Sequence, residues 1–177
     1  MIPDNLKNNQ TLFRIMQSSL IGLPSPSALL MDKFPGVRIG LDPVMGNHCI
    51  IFGNVFIGNQ FRCGNNVLIR DNISIGDEVT IGNGSFIDSD VVVADSAIIG
   101  DAVNVSRSVR IGSGVVIGDN VRFLTSPIRF PITARKRRGT VLEDGCTIGP
   151  DTVLAPGVHV GAGAIVESGS VVTEDIP

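Results

Sequence analysis

The stretch "IGDEVTIGNGSFI", residues 75–87, decides how this chain folds. Ile75, Ile81 and Ile87 stand six apart, and glycine follows the first two. An amphipathic helix repeats its apolar positions every 3.6 residues, and a half-buried strand alternates with a period of two. A period of six fits neither. It fits very short strands, each ended by a glycine-assisted turn. Stepping by six from Ile39 to Phe123 passes fifteen positions, every one apolar. Four residues after most of these anchors comes a second small or β-branched residue, as at Val55, Val67, Val79, Val91, Ala97 and Val103. Three such strands make one triangular coil of about 18 residues, with coils stacked ~4.8 Å apart. The hexads predict an all-β solenoid of about seven coils, a prism roughly 30 Å long. One coil cannot bury its inward face alone, so stacking supplies both the core and the backbone ladder.

The count breaks once, in "FLTSPIRFPITARKRRGT", residues 123–140, and resumes at Leu142, Ile148, Leu154, Val160, Val166 and Val172. This divides residues 39–177 into a solenoid and one protruding arm at 124–141. Residues 1–38 read differently. In "NQTLFRIMQSSL" Leu12, Phe13, Ile15, Met16 and Leu20 have helical spacing, and "SPSALLMDKF" offers a serine cap with proline in the first turn. The expectation is a cap of two short helices that plugs the first coil.

Composition narrows the function classes. A net charge of −3 disfavours general nucleic-acid binding despite "RKRR", with which no aromatic residues interleave. No apolar run approaches the ~20 residues that span a bilayer, and the N-terminus does not read as a signal peptide, so no membrane insertion and a cytoplasmic location are expected. Cys49, Cys63 and Cys146 show neither metal-ligand nor disulfide spacing, and all three fall on inward positions, which makes them core residues.

The hexads above and the ending "IGPDTVLAPGVHVGAGAIVESGSVVTEDIP" resemble those of the hexapeptide-repeat acyltransferases, over about residues 36–177. The resemblance implies a left-handed parallel β-helix and a homotrimer. It also implies acetyl-CoA or another acyl-CoA as co-substrate, held in clefts between neighbouring prisms, with no metal. The arm would reach across such a cleft and complete the site. Two departures bear on mechanism. Many members carry a Thr-Ser-His-Pro-like arm with a histidine base, whereas here Thr125 and Ser126 run directly into Pro127. Glu174 replaces a lysine that would favour the CoA phosphates. "GTVLEDGCTIGP" is closer to the branch that acylates amino groups of nucleotide-linked sugars. An amine can attack a thioester with little help, so a sugar or nucleotide-sugar amine is the implied acceptor, and on that reading His159 contributes less than tenfold.

Candidate site residues follow from the register. His159, in "PGVHVG", precedes an anchor and therefore points outward. If the arm rejoins at the next face, His159 lies in line with Arg110, Val92, Ser74 and Phe56. It is one candidate catalytic residue; Asn104, a possible oxyanion or acceptor donor, is the other. Asn104 stands in the column Ile50, Leu68, Phe86, Asn104, Arg122, which turns from apolar to polar toward the arm. Arg110, Arg122, Ser126 and Arg129 are candidate acceptor-binding residues, the arginines through bidentate recognition of phosphate or carboxylate. Arg135, Lys136, Arg137 and Arg138 are assigned to the CoA phosphates, and Gly161, Ala162, Ser168 and Thr173 to the pantetheine. His48 reads as a turn or surface residue. A γ-type carbonic anhydrase would need three histidine ligands, and the chain has only two histidines, far apart. Two alternatives remain open: a non-catalytic trimeric scaffold, and an O-acetyltransferase with His159 as base.

Overall fold

The computed structural model describes residues 14–15, 19–23, 36–125 and 139–177. They form a parallel β-solenoid of about seven turns, whose strands belong to three sheets of eight, eight and seven strands. Between Val37 and Phe123, and again after Val141, each strand pairs with the strand 18 residues along, as in Thr80↔Ile98 and Ile81↔Ile99. The three outward columns are now fixed. The first face carries Val44, Arg62, Thr80, Ile98, Val116, Thr147 and Ile165. The second carries Ile50, Leu68, Phe86, Asn104, Arg122, Val153 and Val171. The third carries Arg38, Phe56, Ser74, Val92, Arg110, Val141 and His159.

The core follows the hexad arithmetic. All fifteen anchors from Ile39 to Phe123 are buried, and so are their apolar partners four residues on. Among the described residues Phe61 is the largest fully buried side chain. Ser85 enters this interior satisfied: its Oγ donates to the Gly100 carbonyl at 2.9 Å and accepts from the Val103 amide at 3.1 Å.

Glycine follows the anchors for a spatial reason. At the corner after the first face, Asn65, Asn83, Asp101 and Asp119 each reach back to the amide one coil below. Asn65 N–H donates to Asn83 Oδ1 at 2.9 Å, and Asn83 N–H to Asp101 Oδ1 at 2.6 Å. A Cβ on Gly64 would lie 2.5 Å from Asn83 Oδ1 and 2.8 Å from the Asn83 backbone nitrogen. Both atoms are held by the ladder, so neither can yield cheaply. Gly64→Ala should therefore cost about 1–3 kcal/mol, by the usual penalty of overpacking. A fall in thermal midpoint of roughly 2–10 °C checks this.

The N-terminal segment departs from expectation. Arg14–Ile15 and Leu20–Leu23 are strands, not helix, and pair in parallel with Val44–Met45 and Ile50–Phe52. They extend the solenoid instead of plugging it. The physical reason is the open edge of the coil above, whose backbone groups a strand can satisfy and a helix cannot. The Leu20 amide accordingly donates to the Cys49 carbonyl at 2.8 Å. The second expected helix, at 25–34, lies outside the described residues. No helix among the described residues is long and apolar enough to cross a membrane.

Candidate active site

The register puts His159 where the count placed it, on the third face in line with Arg110, with Val141 between them. The break is real in the ladder. Coil partners 18 residues apart on one side of it, such as Asp101 and Asp119, become 31 apart across it, as with Ser113 and Asp144. The chain leaves the second face after Arg122–Phe123 and re-enters on the third at Val141–Leu142. Ser126, Arg129, Arg135, Lys136, Arg137 and Arg138 lie outside the described residues.

His159 is not a bare surface imidazole. Its Nε2 lies 2.7 Å from Glu143 Oε1, and the other carboxylate oxygen, Oε2, accepts the Ala162 amide at 3.1 Å. The His159 amide in turn donates to Asp175 Oδ1 at 3.0 Å. Glu143 is thus fixed at both oxygens and holds the ring. With the proton on Nε2 donated to Glu143, the Nδ1 lone pair is left to accept a proton, and no group among the described residues bonds to Nδ1. Both side chains are nearly half exposed, so the contact contributes little to stability. Its effect is orientation. Sequence reasoning missed Glu143, although a signal existed: the corner column Gly40, Gly58, Gly76, Ala94, Gly112 and Gly161 is small everywhere except at Glu143.

Glu143 also lines a cavity of about 290 Å³ with Arg110, Gly112, Val141, Asp144 and Ala162. Arg110 stands at its rim without an ion-pair partner among the described residues. Asp144 is engaged, its Oδ1 accepting the Ser113 amide at 2.8 Å. Asn104 and Arg122 are neighbours in register on the second face. Within one chain, then, the candidates form two groups on adjacent faces: Arg110 with His159, and Asn104 with Arg122. Gly161 and Ala162 have already committed their amides, Gly161 to the Ile176 carbonyl at 2.8 Å and Ala162 to Glu143. Ser168 and Thr173 are exposed on the last described coil. His48 sits in an exposed turn with φ of 58°, well away from this cluster in the ladder order.

A parallel solenoid of six-residue repeats, with an excursion of the chain near His159 and Arg110, invites comparison with known hexapeptide proteins. Residues 139–174 match the family described as bacterial transferase hexapeptide (six repeats), and residues 36–89 match hexapeptide repeat of succinyl-transferase. Over these two stretches the chain carries the hexapeptide repeat of the transferases and is similar to the acyltransferases built on it. Over 58 residues it is 38% identical to the bifunctional protein GlmU of Thermotoga petrophila, covering 33% of this chain and 13% of that protein. Over 37 residues it is 49% identical to the 2,3,4,5-tetrahydropyridine-2,6-dicarboxylate N-acetyltransferase of Staphylococcus aureus, covering 21% of this chain and 16% of that one. The matches therefore span less than a fifth of either relative's length. Among solved structures, the polySia-specific acetyltransferase NeuO superposes with a TM-score of 0.55 at 22% identity, over 80% of this chain and 74% of its own. The UDP-N-acetylglucosamine O-acyltransferase LpxA of Moraxella catarrhalis does so with 0.50 at 14%, over 90% and 62%. At these identities the likeness is one of fold.

Proposed function

We propose that this protein transfers an acyl group from acyl-CoA, most simply acetyl-CoA, to an amino group of a sugar or nucleotide-linked sugar, with His159 accepting the proton. The observation that carries the reading is the Glu143–His159 contact beside the cavity that Arg110 rims. Proton transfer needs an imidazole held in one orientation with a free ring nitrogen, and Glu143 supplies that. Arg110 would hold an anionic part of the acceptor. A hydroxyl acceptor is the second reading, favoured by the same contact, because a carboxylate-oriented imidazole is what a poor oxygen nucleophile requires.

In this proposal the solenoid winds left-handed and assembles as a homotrimer. The second face of one copy meets the third face of the next, so that Asn104 and Arg122 face Arg110 and His159 across a cleft. Support comes from the exposed apolar residues Phe56 and Val92 on the third face and the half-buried Ile50, Leu68 and Phe86 on the second. A lone chain would leave these stripes in water. Light scattering at micromolar concentration should give about three times the 18.6 kDa chain mass; a monomer would remove the intersubunit site.

Acetyl-CoA titrated by calorimetry tests the function most directly. Binding followed by acylation of an amino sugar supports it, and failure to bind would leave a trimeric scaffold. Replacing Arg135, Lys136, Arg137 and Arg138 together by alanine should weaken CoA about tenfold more than dephospho-CoA, since several cations then leave one phosphate. Equal weakening would place those four residues away from the adenosine phosphate.

A further inference from the structure

Cys49 and Cys63 lie on neighbouring coils with their sulfur atoms 3.8 Å apart, and both side chains are buried. Cys49 Sγ lies 3.1 Å from the Gly64 carbonyl, the natural acceptor of its own S–H, which leaves the Cys63 S–H to point at Cys49 Sγ. That donation from Cys63 holds the Cys49 thiol below the ordinary thiol range, against the opposing effect of burial. The Cys49 sulfur and burial push Cys63 up. Cys146 provides a contrast: burial comes first among its causes and raises it to about 11. Neither acyl transfer nor the proposed cleft uses the first two cysteines, which stand at the far end of the ladder from His159.

We propose that Cys49 and Cys63 are a thiol–disulfide site, oxidised by a small-molecule disulfide to an intramolecular bond that staples two coils. The Cys49 thiolate attacks one sulfur of the small disulfide, whose S–S bond breaks and whose other half leaves as a thiol. The Cys63 sulfur then displaces the second half from Cys49, and that also leaves as a thiol. Two protein thiols are oxidised and one disulfide is reduced to two thiols. Closing the bond brings the sulfurs from 3.8 Å to about 2.05 Å, within reach of side-chain rotation between coils already locked by Met45↔Cys63 pairing. Access comes through the segment over Cys49. Ser19 Oγ accepts the Cys49 amide at 3.2 Å and donates to the Gly46 carbonyl at 3.0 Å. Lifting Ser19 and the adjoining strand uncovers the pair, and local openings of this kind are ordinary in a solenoid, where each coil touches only its neighbours.

The test uses the full chain incubated with oxidised glutathione, followed by intact mass, thiol titration and peptide mapping. The proposal expects a mass loss of about 2 Da, one remaining thiol and a Cys49–Cys63 linked peptide. Cys146→Ser should oxidise in the same way, whereas Cys49→Ser and Cys63→Ser should not. Wild-type peptide mapping needs no variant, so a poorly folding substitution does not blunt the result. The oxidised protein should melt roughly 5–10 °C higher, as a cross-link closing a short loop does. Stable glutathione adducts without closure, a disulfide between chains, or three thiols surviving even under partial denaturation would each overturn the site. An unchanged melting point would overturn the staple.

Discussion

Replacing His159 by alanine should lower kcat by about 10²–10⁴, the range that a positioned general base contributes. KM for acyl-CoA should move much less than kcat, because a base acts on the proton in the transition state and the CoA phosphates are assigned to the arm. Glu143→Gln is the sharper companion. The substituted side chain can still accept from the Ala162 amide, yet its NH₂ end can also turn toward Nε2 and set the wrong tautomer. We expect a loss of about tenfold or more in kcat, with the thermal midpoint unchanged because the contact is half exposed. Steady-state kinetics with an amino sugar and with its hydroxyl counterpart, each at saturating acetyl-CoA, reads both effects. A loss under tenfold for His159→Ala on the amine would return the reaction to an unaided amine attack. A thousandfold loss accompanied by turnover of the hydroxyl compound alone would make the acceptor a hydroxyl.

Phe61→Ala should cost about 3–5 kcal/mol, the largest stability effect of any single truncation here. Its side chain is 0% exposed and sits four residues after an anchor, where its neighbours along the stack are the smaller Pro43 and Val79. The void cannot collapse easily, because the Phe61 carbonyl holds the Val44 amide at 2.8 Å and fixes the coil spacing. Phe61→Leu, which keeps most of the volume, should cost less than half as much. Thermal melts of both variants settle the comparison. Equal, small shifts would mean that the coils slide to refill the space.

The solenoid could be read from the sequence because each hexad repeats one physical problem. An inward side chain, a small corner residue and a short strand recur with the same spacing, and counting put His159 in register with Arg110 once the arm was taken to rejoin at the next face. The N-terminal segment shows where counting lost to habit. Ile15 and Ile21 are six apart, and Gly22 follows Ile21 like any corner glycine, but helical spacing over residues 12–20 is equally present. What decided between them was a neighbour, the unsatisfied edge at Ile50–Phe52, which no local window contains. Glu143 was missed for a related reason. Its partner lies 16 residues away, and only the stacking of adjacent coils turns that separation into a hydrogen bond. The Cys49–Cys63 approach was hidden in the same way, since both positions read simply as core.

The asparagine ladder also makes the protein a recorder of its own history. Asn83 is followed by Gly84, the pairing in which an asparagine side chain most readily cyclises onto the next amide and deamidates. In the folded coil that reaction is blocked at both ends. Asn83 Oδ1 is held by the Asn65 amide, its Nδ2 by Asp101, and the Gly84 nitrogen is turned away to the Asn65 carbonyl at 2.8 Å. Ageing at this position therefore accrues only while the coil is open. Deamidation of Asn83 in an old sample would count the time that its middle coils have spent apart.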